Sequence, residues 1–232
     1  MKRAIVIGAT SGIGRELATL LAKNNYVVGI TGRRTDLLKG LNKENPVSFK
    51  WKAFDITDTK ATIENLNSLI VELGGLDLMI ISSGSGDLNE NLVFEIEKRT
   101  IDLNVTGFTA VCDWAFNYFE QQKHGHLTAI TSVAGLRGSS QAPAYSATKS
   151  YQIKYLESLR LKAKGTKLPI FVTDIRPGFV DTAMAKGKGL FWVASPRKAA
   201  FQIYEAIRRK RRVVYITRRW IIVALLLKLL SR

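Results

Sequence analysis

The chain has 232 residues and a mass of 25.8 kDa, room for one large domain or at most two small ones. With 46% hydrophobic and 23% charged residues it is no disordered chain. Its single cysteine, Cys112, excludes an intrachain disulfide, argues against a cysteine-based metal centre and fits a reducing, cytoplasmic compartment. The formal charge of +16 is unevenly placed: nine of the cations follow Glu205, between Arg208 and Arg232, with no acid among them. The basic character belongs largely to the tail.

The first apolar run, residues 4–7, stops at Gly8 and is too short for the apolar region of a signal peptide, so it reads as a strand. Further strands are predicted over residues 26–31, 47–54, 76–82, 126–131, 169–175 and 213–216. Between them, helices are predicted over 13–23, 60–73, 99–122, 144–163 and 196–209. Such alternation implies right-handed crossovers and a doubly wound, mainly parallel seven-stranded sheet with helices on both faces, in one domain over residues 1–217. Near-continuous apolar strands such as Leu78-Met79-Ile80-Ile81 suit burial on both faces.

Directly after the first strand comes Gly8-Ala9-Thr10-Ser11-Gly12-Ile13-Gly14, then helix. Glycines there permit a sharp turn and let a pyrophosphate approach the backbone amides, while the helix N-terminus offers free N–H groups and a positive partial charge. The second strand ends at Thr31-Gly32-Arg33-Arg34, where an NAD-binding unit carries an acid for the ribose hydroxyls. Two guanidiniums suit a 2′-phosphate instead, so NADP(H) is the expected cofactor, with Arg33 favoured over Arg34. A solvated charge pair on a loop is the plain alternative.

Tyr145 and Lys149 lie four apart within a helical pattern, which puts them on one face. A phenol titrates near 10, and a neighbouring ammonium that favours the phenolate makes it a usable acid/base at neutral pH. Ser132, at the end of the fifth strand, stands where a hydroxyl can donate to a substrate carbonyl.

In these residues and their order the chain resembles the short-chain dehydrogenase/reductase superfamily over nearly its whole length. The resemblance rests on Gly8, Gly12 and Gly14, on Asp55 in Phe54-Asp55-Ile56-Thr57, on Asn104 in Leu103-Asn104-Val105-Thr106-Gly107, on Ser132, Tyr145 and Lys149, and on Pro177-Gly178-Phe179-Val180-Asp181-Thr182. It implies a Rossmann-like fold and hydride transfer between a nicotinamide and a carbonyl or alcohol carbon. Tyr145 is then the acid, Lys149 the ribose-binding residue that depresses its pKa, Ser132 the group that orients the carbonyl, and Asn104 the holder of a relay water. It further implies that Asp55 and Ile56 line the adenine, that Ser83 and Gly84 lie along the cofactor, that Pro177, Gly178, Val180 and Thr182 bind near the carboxamide, and that the protein is a homo-oligomer. One departure stands out: Ser82-Ser83-Gly84-Ser85-Gly86 replaces the family's Asn-Asn-Ala-Gly, although a serine can still hydrogen-bond the neighbouring backbone. A non-catalytic NADP(H) sensor or membrane-recruited scaffold is the alternative function, against which the complete Ser132, Tyr145 and Lys149 set argues.

In this family the segment between Thr182 and Ser195 covers the substrate. Met184, Leu190, Phe191 and Trp192 there suggest an apolar, possibly lipid-like substrate, or else pack on the sheet, and the glycines of the segment permit movement. The tail, residues 218–232, reads as a helix apolar around most of its circumference and too short to span a bilayer. It must bury itself on an anionic membrane surface, in a subunit interface or across the core. The basic cluster 208–212 lacks interleaved aromatics, so nucleic acid is not an expected partner, and His124 and His126 read as exposed loop residues rather than metal ligands.

Overall fold

A computed structural model describes residues 1–185 and 189–230, with side chains to 227. Strands and helices alternate: β1 (Lys2–Ile7), α1 (Gly12–Lys23), β2 (Tyr26–Gly32), α2 (Thr35–Glu44), β3 (Phe49–Ala53), α3 (Thr59–Leu73) and β4 (Leu78–Ile81). There follow α4 (Phe94–Ile101), α5 (Phe108–Gln122), β5 (Gly125–Ile130), α6 (Pro143–Thr166), β6 (Ile170–Pro177), α7 (Pro196–Arg208), β7 (Val213–Ile216) and α8 (Trp220–Leu230). The seven strands form one sheet in the order β3-β2-β1-β4-β5-β6-β7, with every described pairing parallel. This is the Rossmann-like arrangement expected from the alternation.

The inner strands feed two cores, one on each face of the sheet. In β1, Ala4 and Val6 face one side and Ile5 and Ile7 the other, and all four are buried, as a two-residue side-chain period requires. The first core is closed by Leu17 and Leu21 of α1, Leu38 and Leu41 of α2, and Ile203 and Ile207 of α7. The second is closed by Leu66 and Leu69 of α3, Phe108, Phe116 and Phe119 of α5, and Leu156 of α6. Local chemistry sets the helix starts: the Asp58 carboxylate accepts from the Ala61 amide ahead of α3, and the Ser195 hydroxyl from the Lys198 amide ahead of α7, whose first residue is Pro196.

Three local expectations change. Helix α2 is not predicted, because Leu38 and Leu41 are its buried residues and two leucines make a weak periodic signal. The single helix expected over 99–122 is α4 and α5 joined by a π-helical turn, Asp102–Gly107. His126 is no loop residue but lies inside β5, 8% exposed and hydrogen-bonded to Thr173, where burial, aided by the Lys210 charge, pulls its pKa down to about 4. His124 is exposed as expected, and no metal-holding group of side chains occurs among the described residues.

The strand order reverses direction of winding at β1, whose neighbours are β2 and β4. The loops leaving the C-terminal ends of β1 and β4 therefore diverge to opposite faces and leave a crevice, the place where open parallel sheets bind ligands.

Candidate active site

The glycine turn sits at that crevice. Gly14 opens the first turn of α1, and a Cβ there would lie 2.1 Å from the Gly8 carbonyl oxygen, so the strand–helix junction closes only around hydrogen. Ile13 packs against the first core, while Thr10 and Ser11 stand at the mouth of the turn. Both accept from the Arg34 guanidinium, at 2.6 and 2.7 Å. Arg33 is freer: its side chain is 71% exposed and its contact is the Asp55 carboxylate at 3.3 Å. Burial pushes the Asp55 carboxyl up, but the Thr57 amide and the Arg33 guanidinium outweigh it and hold it below the ordinary carboxylate value. Ile56 is buried behind it. At the other end of the turn, Gly12 lies against Thr182, whose Cγ2 would be 3.1 Å from a Cβ on Gly12. The loop after β1 thus touches both the basic end after β2 and the segment after β6.

The residues predicted to carry the acid/base chemistry gather at the C-terminal end of the sheet, after β5 and on α6. Ser132 follows β5; its Oγ accepts from the Ala134 amide at 3.1 Å, which leaves its own proton to donate. Tyr145 and Lys149 share a face of α6, with the Lys149 Nζ 5.8 Å from the Tyr145 ring centre. Burial raises the Tyr145 pKa above its ordinary value, and hydrogen bonding with Ser132 acts against that rise. Asn104 sits in the π-helical turn, fully buried. Its side chain is locked to Ser85 by a donated bond to the carbonyl, 2.7 Å, and an accepted one from the amide, 3.0 Å; it also donates to Thr148 Oγ1 at 3.1 Å. The extra residue of the π turn lets Asn104 reach the loop after β4.

Lys149 is 3% exposed, and burial pulls its pKa from 10.5 down to about 8, with the Asp174 carboxylate acting against the fall. Asp174, fully buried on β6, is paired with Arg176 at 2.6 Å and accepts from Thr131 Oγ1 at 2.6 Å, the residue before Ser132. The Lys149 ammonium donates to the Ile130 carbonyl at 3.1 Å and to Gln152 Oε1 at 2.9 Å. Gln152 was not singled out from the sequence. Its position three residues after Lys149 was the available signal, since it shares the buried face of α6.

The departure after β4 carries a cost. Ser83 Oγ is buried with no hydrogen-bond partner among the described residues, so it does not make the backbone bond expected of it. The Ser83 amide lies 2.7 Å from where a Cβ on Gly8 would stand. An orphaned hydroxyl against the glycine turn fits a bound polar group that supplies the missing partner. Gly84 lies beside Asn104 and Lys149, with a Cβ position 3.4 Å from Asn104 Oδ1 and from Lys149 Nζ.

After β6, Pro177 ends the strand and Gly178 lies under the Trp220 ring, which would be 1.8 Å from a Cβ at that position. Val180 bridges to Ala194, whose amide donates to the Phe179 carbonyl at 3.0 Å. Phe191 stacks on Trp220 with ring centres 5.1 Å apart, and Phe179 meets Trp220 edge-on at 5.3 Å. Phe191 and Trp192 remain 48% and 41% exposed, so they pack on α8 and on one another rather than into the sheet. Residues 186–188 of this segment, including Gly187, lie outside the described residues. Helix α8 itself buries Trp220 and Ala224 and leaves Ile221, Ile222, Leu225 and Leu226 exposed. No helix among the described residues is long and apolar enough to cross a membrane.

Comparison with known proteins agrees with this geometry. A family model described as short chain dehydrogenase matches residues 2–190. A protein of Myxococcus xanthus described as an uncharacterized oxidoreductase is 37% identical over 188 residues, covering 79% of this chain and 74% of that one. Among solved structures, an alcohol dehydrogenase of the archaeon Thermococcus sibiricus, complexed with 5-hydroxy-NADP, is similar with a TM-score of 0.81 at 22% identity, over 93% of this chain and 94% of that one. The actinorhodin polyketide ketoreductase with NADPH is similar with a TM-score of 0.83 at 21% identity, over 93% and 95% of the two chains.

Proposed function

The chain belongs to the short-chain dehydrogenase family of oxidoreductases, and from that premise we propose that it is an NADP(H)-dependent carbonyl reductase, or the reverse alcohol dehydrogenase, acting on an apolar, lipid-like substrate. The observation that carries the reading is the convergence of Ser132, Tyr145 and Lys149 at one end of the sheet beside the glycine turn. A nicotinamide cofactor held along the glycine turn and by Lys149 would supply the hydride for the carbonyl carbon. Ser132 donates a hydrogen bond to the carbonyl oxygen and fixes its orientation. Tyr145 gives its hydroxyl proton to the same oxygen as negative charge gathers there. Lys149 holds a positive charge close to the phenolate that Tyr145 becomes, and its remaining N–H serves the ribose. Oxidation of an alcohol runs the same steps in reverse.

Two features support NADP(H). No acid stands at the end of β2, and Arg33 has an exposed guanidinium there while that of Arg34 is already engaged by Thr10 and Ser11. A ligand that binds the native state alone raises its apparent stability by RT ln(1 + [L]/Kd). At matched concentration NADPH is expected to raise the melting temperature more than NADH. Arg33→Ala is expected to weaken NADPH about tenfold, roughly 1.4 kcal/mol, while leaving NADH unchanged. A larger shift with NADH would reverse the cofactor assignment.

Support for a lipid-like substrate comes from the aromatic and apolar surface made by Phe191, Trp192 and α8 beside the segment that holds Val180 and Thr182. The same surface supports contact with an anionic membrane: Arg218 and Arg219 are exposed next to it, and no acid follows Glu205. Two copies meeting through this face would bring like charges together. Sedimentation with vesicles containing anionic lipid is expected to capture the protein, and Ile222→Glu with Leu226→Glu to release it. Equal recovery of parent and variant with neutral and anionic vesicles would remove the membrane from the proposal.

A further inference from the structure

Beside the proposed machinery lies a buried side chain that the reaction does not use. Gln152 is 1% exposed and bridges two residues of the site: its Oε1 accepts from Lys149 Nζ at 2.9 Å and its Nε2 donates to the Asn104 carbonyl at 2.9 Å. An ammonium has no acceptor and a carbonyl no donor, so a single orientation of the amide satisfies both ends. The bridge therefore has a sense of direction that neither partner alone imposes.

Its consequences follow from counting protons. The Lys149 ammonium carries three N–H groups. One goes to the Ile130 carbonyl and one to Gln152, leaving one for a ligand. Without Gln152 the long lysine side chain has a single anchor and regains rotamer freedom. With it, the ammonium is tied to Asn104, and through the Asn104 side chain to Ser85 and the loop after β4. The Gln152 amide occupies one of the two lone pairs of the Asn104 carbonyl and holds that residue in position without itself passing a proton onward. We infer that Gln152 is a positioning residue of this enzyme, fixing the Lys149 ammonium against Asn104 so that its remaining N–H is presented to the cofactor and substrate side.

The charged and titratable groups that face Lys149 are few. Tyr145 lies on its own helix, and Asp174 on β6 acts at longer range with its charge shared with Arg176. Among the described residues no carboxylate hydrogen-bonds Nζ, whose acceptors are the Ile130 carbonyl and Gln152 Oε1. Replacing Gln152 must move Lys149 in a direction set by the replacement. Gln152→Glu sets a carboxylate beside the ammonium and favours its charged form. Gln152→Met keeps the volume and removes the acceptor, which disfavours it.

The inference rests on the oxidoreductase reading for its catalytic meaning but not for its geometry, so the test has two readouts on the full chain. The first is the titration midpoint of Lys149 followed by its ¹³Cε resonance; the second is the pH profile of kcat with an apolar ketone and NADPH. Gln152→Glu is expected to move the Lys149 midpoint and the basic limb of kcat upward by about one pH unit, and Gln152→Met to move both downward. The Met variant is expected to lose about tenfold in kcat with KM changed less than threefold. Should the Met variant not fold, the Glu variant still reads the upward shift. An unchanged lysine midpoint overturns the inference, and so does a moved midpoint with an unmoved kcat profile. An inactive parent protein whose lysine midpoint still responds to the two substitutions would sink the oxidoreductase reading, and with it the catalytic role, while leaving the coupling of Gln152 to Lys149 standing.

Discussion

Tyr145→Phe is expected to lower kcat at least a thousandfold, about 4 kcal/mol in activation free energy, while the Kd for NADPH changes less than threefold. The asymmetry follows from where the hydroxyl works. In the proposed reaction it is the proton source for the developing alkoxide, and its neighbour is the Ser132 hydroxyl rather than the glycine turn or the two arginines. The ring stays, so the contact it makes with Gly86, whose Cβ position lies 2.2 Å from Tyr145 Cδ2, is kept. Because burial already raises the Tyr145 pKa, the hydroxyl stays protonated across neutral pH, and reduction is favoured over oxidation on the acidic side. Single-turnover kinetics with bound NADPH separate the chemical step from binding. A variant within tenfold of the parent in that assay would show that another group delivers the proton.

Lys149→Met is expected to abolish turnover and yet stabilise the fold at neutral pH. The folded protein holds this ammonium at a pKa of about 8 against 10.5 for an unhindered lysine, which corresponds to a cost of about 3 kcal/mol when the group is charged in both states. Removing the charge recovers that cost, less about 1 kcal/mol each for the Ile130 carbonyl and Gln152 Oε1, which lose their donor. The expected net gain is about 1 kcal/mol, a rise of roughly 2–4 °C in melting temperature. The sign with pH is fixed: the folded state binds fewer protons than the unfolded state between about 8 and 10.5, so the parent gains stability as pH rises through that window. The variant's advantage is constant below about pH 8 and shrinks above it. Calorimetry at pH 7 and pH 10 measures both statements, and a variant less stable than the parent at pH 7 contradicts the burial cost. A residue that costs stability where it sits is retained for what it does.

The two expectations differ in how visible they were in the sequence. Tyr145 and Lys149 were legible because an i, i+4 pair shares a helix face in any helix. The glycine turn was legible because it follows directly on a strand and opens a helix. Gln152 shares that same face, yet its role depends on Asn104, 48 residues away, meeting it across the π-helical turn. That turn was invisible to a reading of periodicity, since Asp102–Gly107 continues the helical pattern on both sides. His126 had two readings, as the first residue of the strand 126–131 and as an exposed loop histidine beside Gly125, and the pairing of β5 with β4 and β6 takes it inside.

The tail shows the same division. Its composition dictates that an apolar helix must bury one side somewhere, and its charge dictates that the surroundings be basic. Neither says that Trp220 lies over Gly178, or that Phe191 stacks on it and so joins the last helix to the segment after β6. By itself the sequence determined the alternation of strand and helix, the two-sided burial of the strands, the turn at Gly8 to Gly14 and the shared face of Tyr145 and Lys149. Each of these follows from local sterics and from side-chain periods of two or 3.6 residues. Only the tertiary structure decided the orphaned hydroxyl of Ser83, the bridge through Gln152, the buried pair of Asp174 with Arg176 beneath Lys149, and the face α8 presents outward. Several of these join residues distant in the chain, all depend on how the elements pack, and strand order rather than local propensity sets which side chains meet.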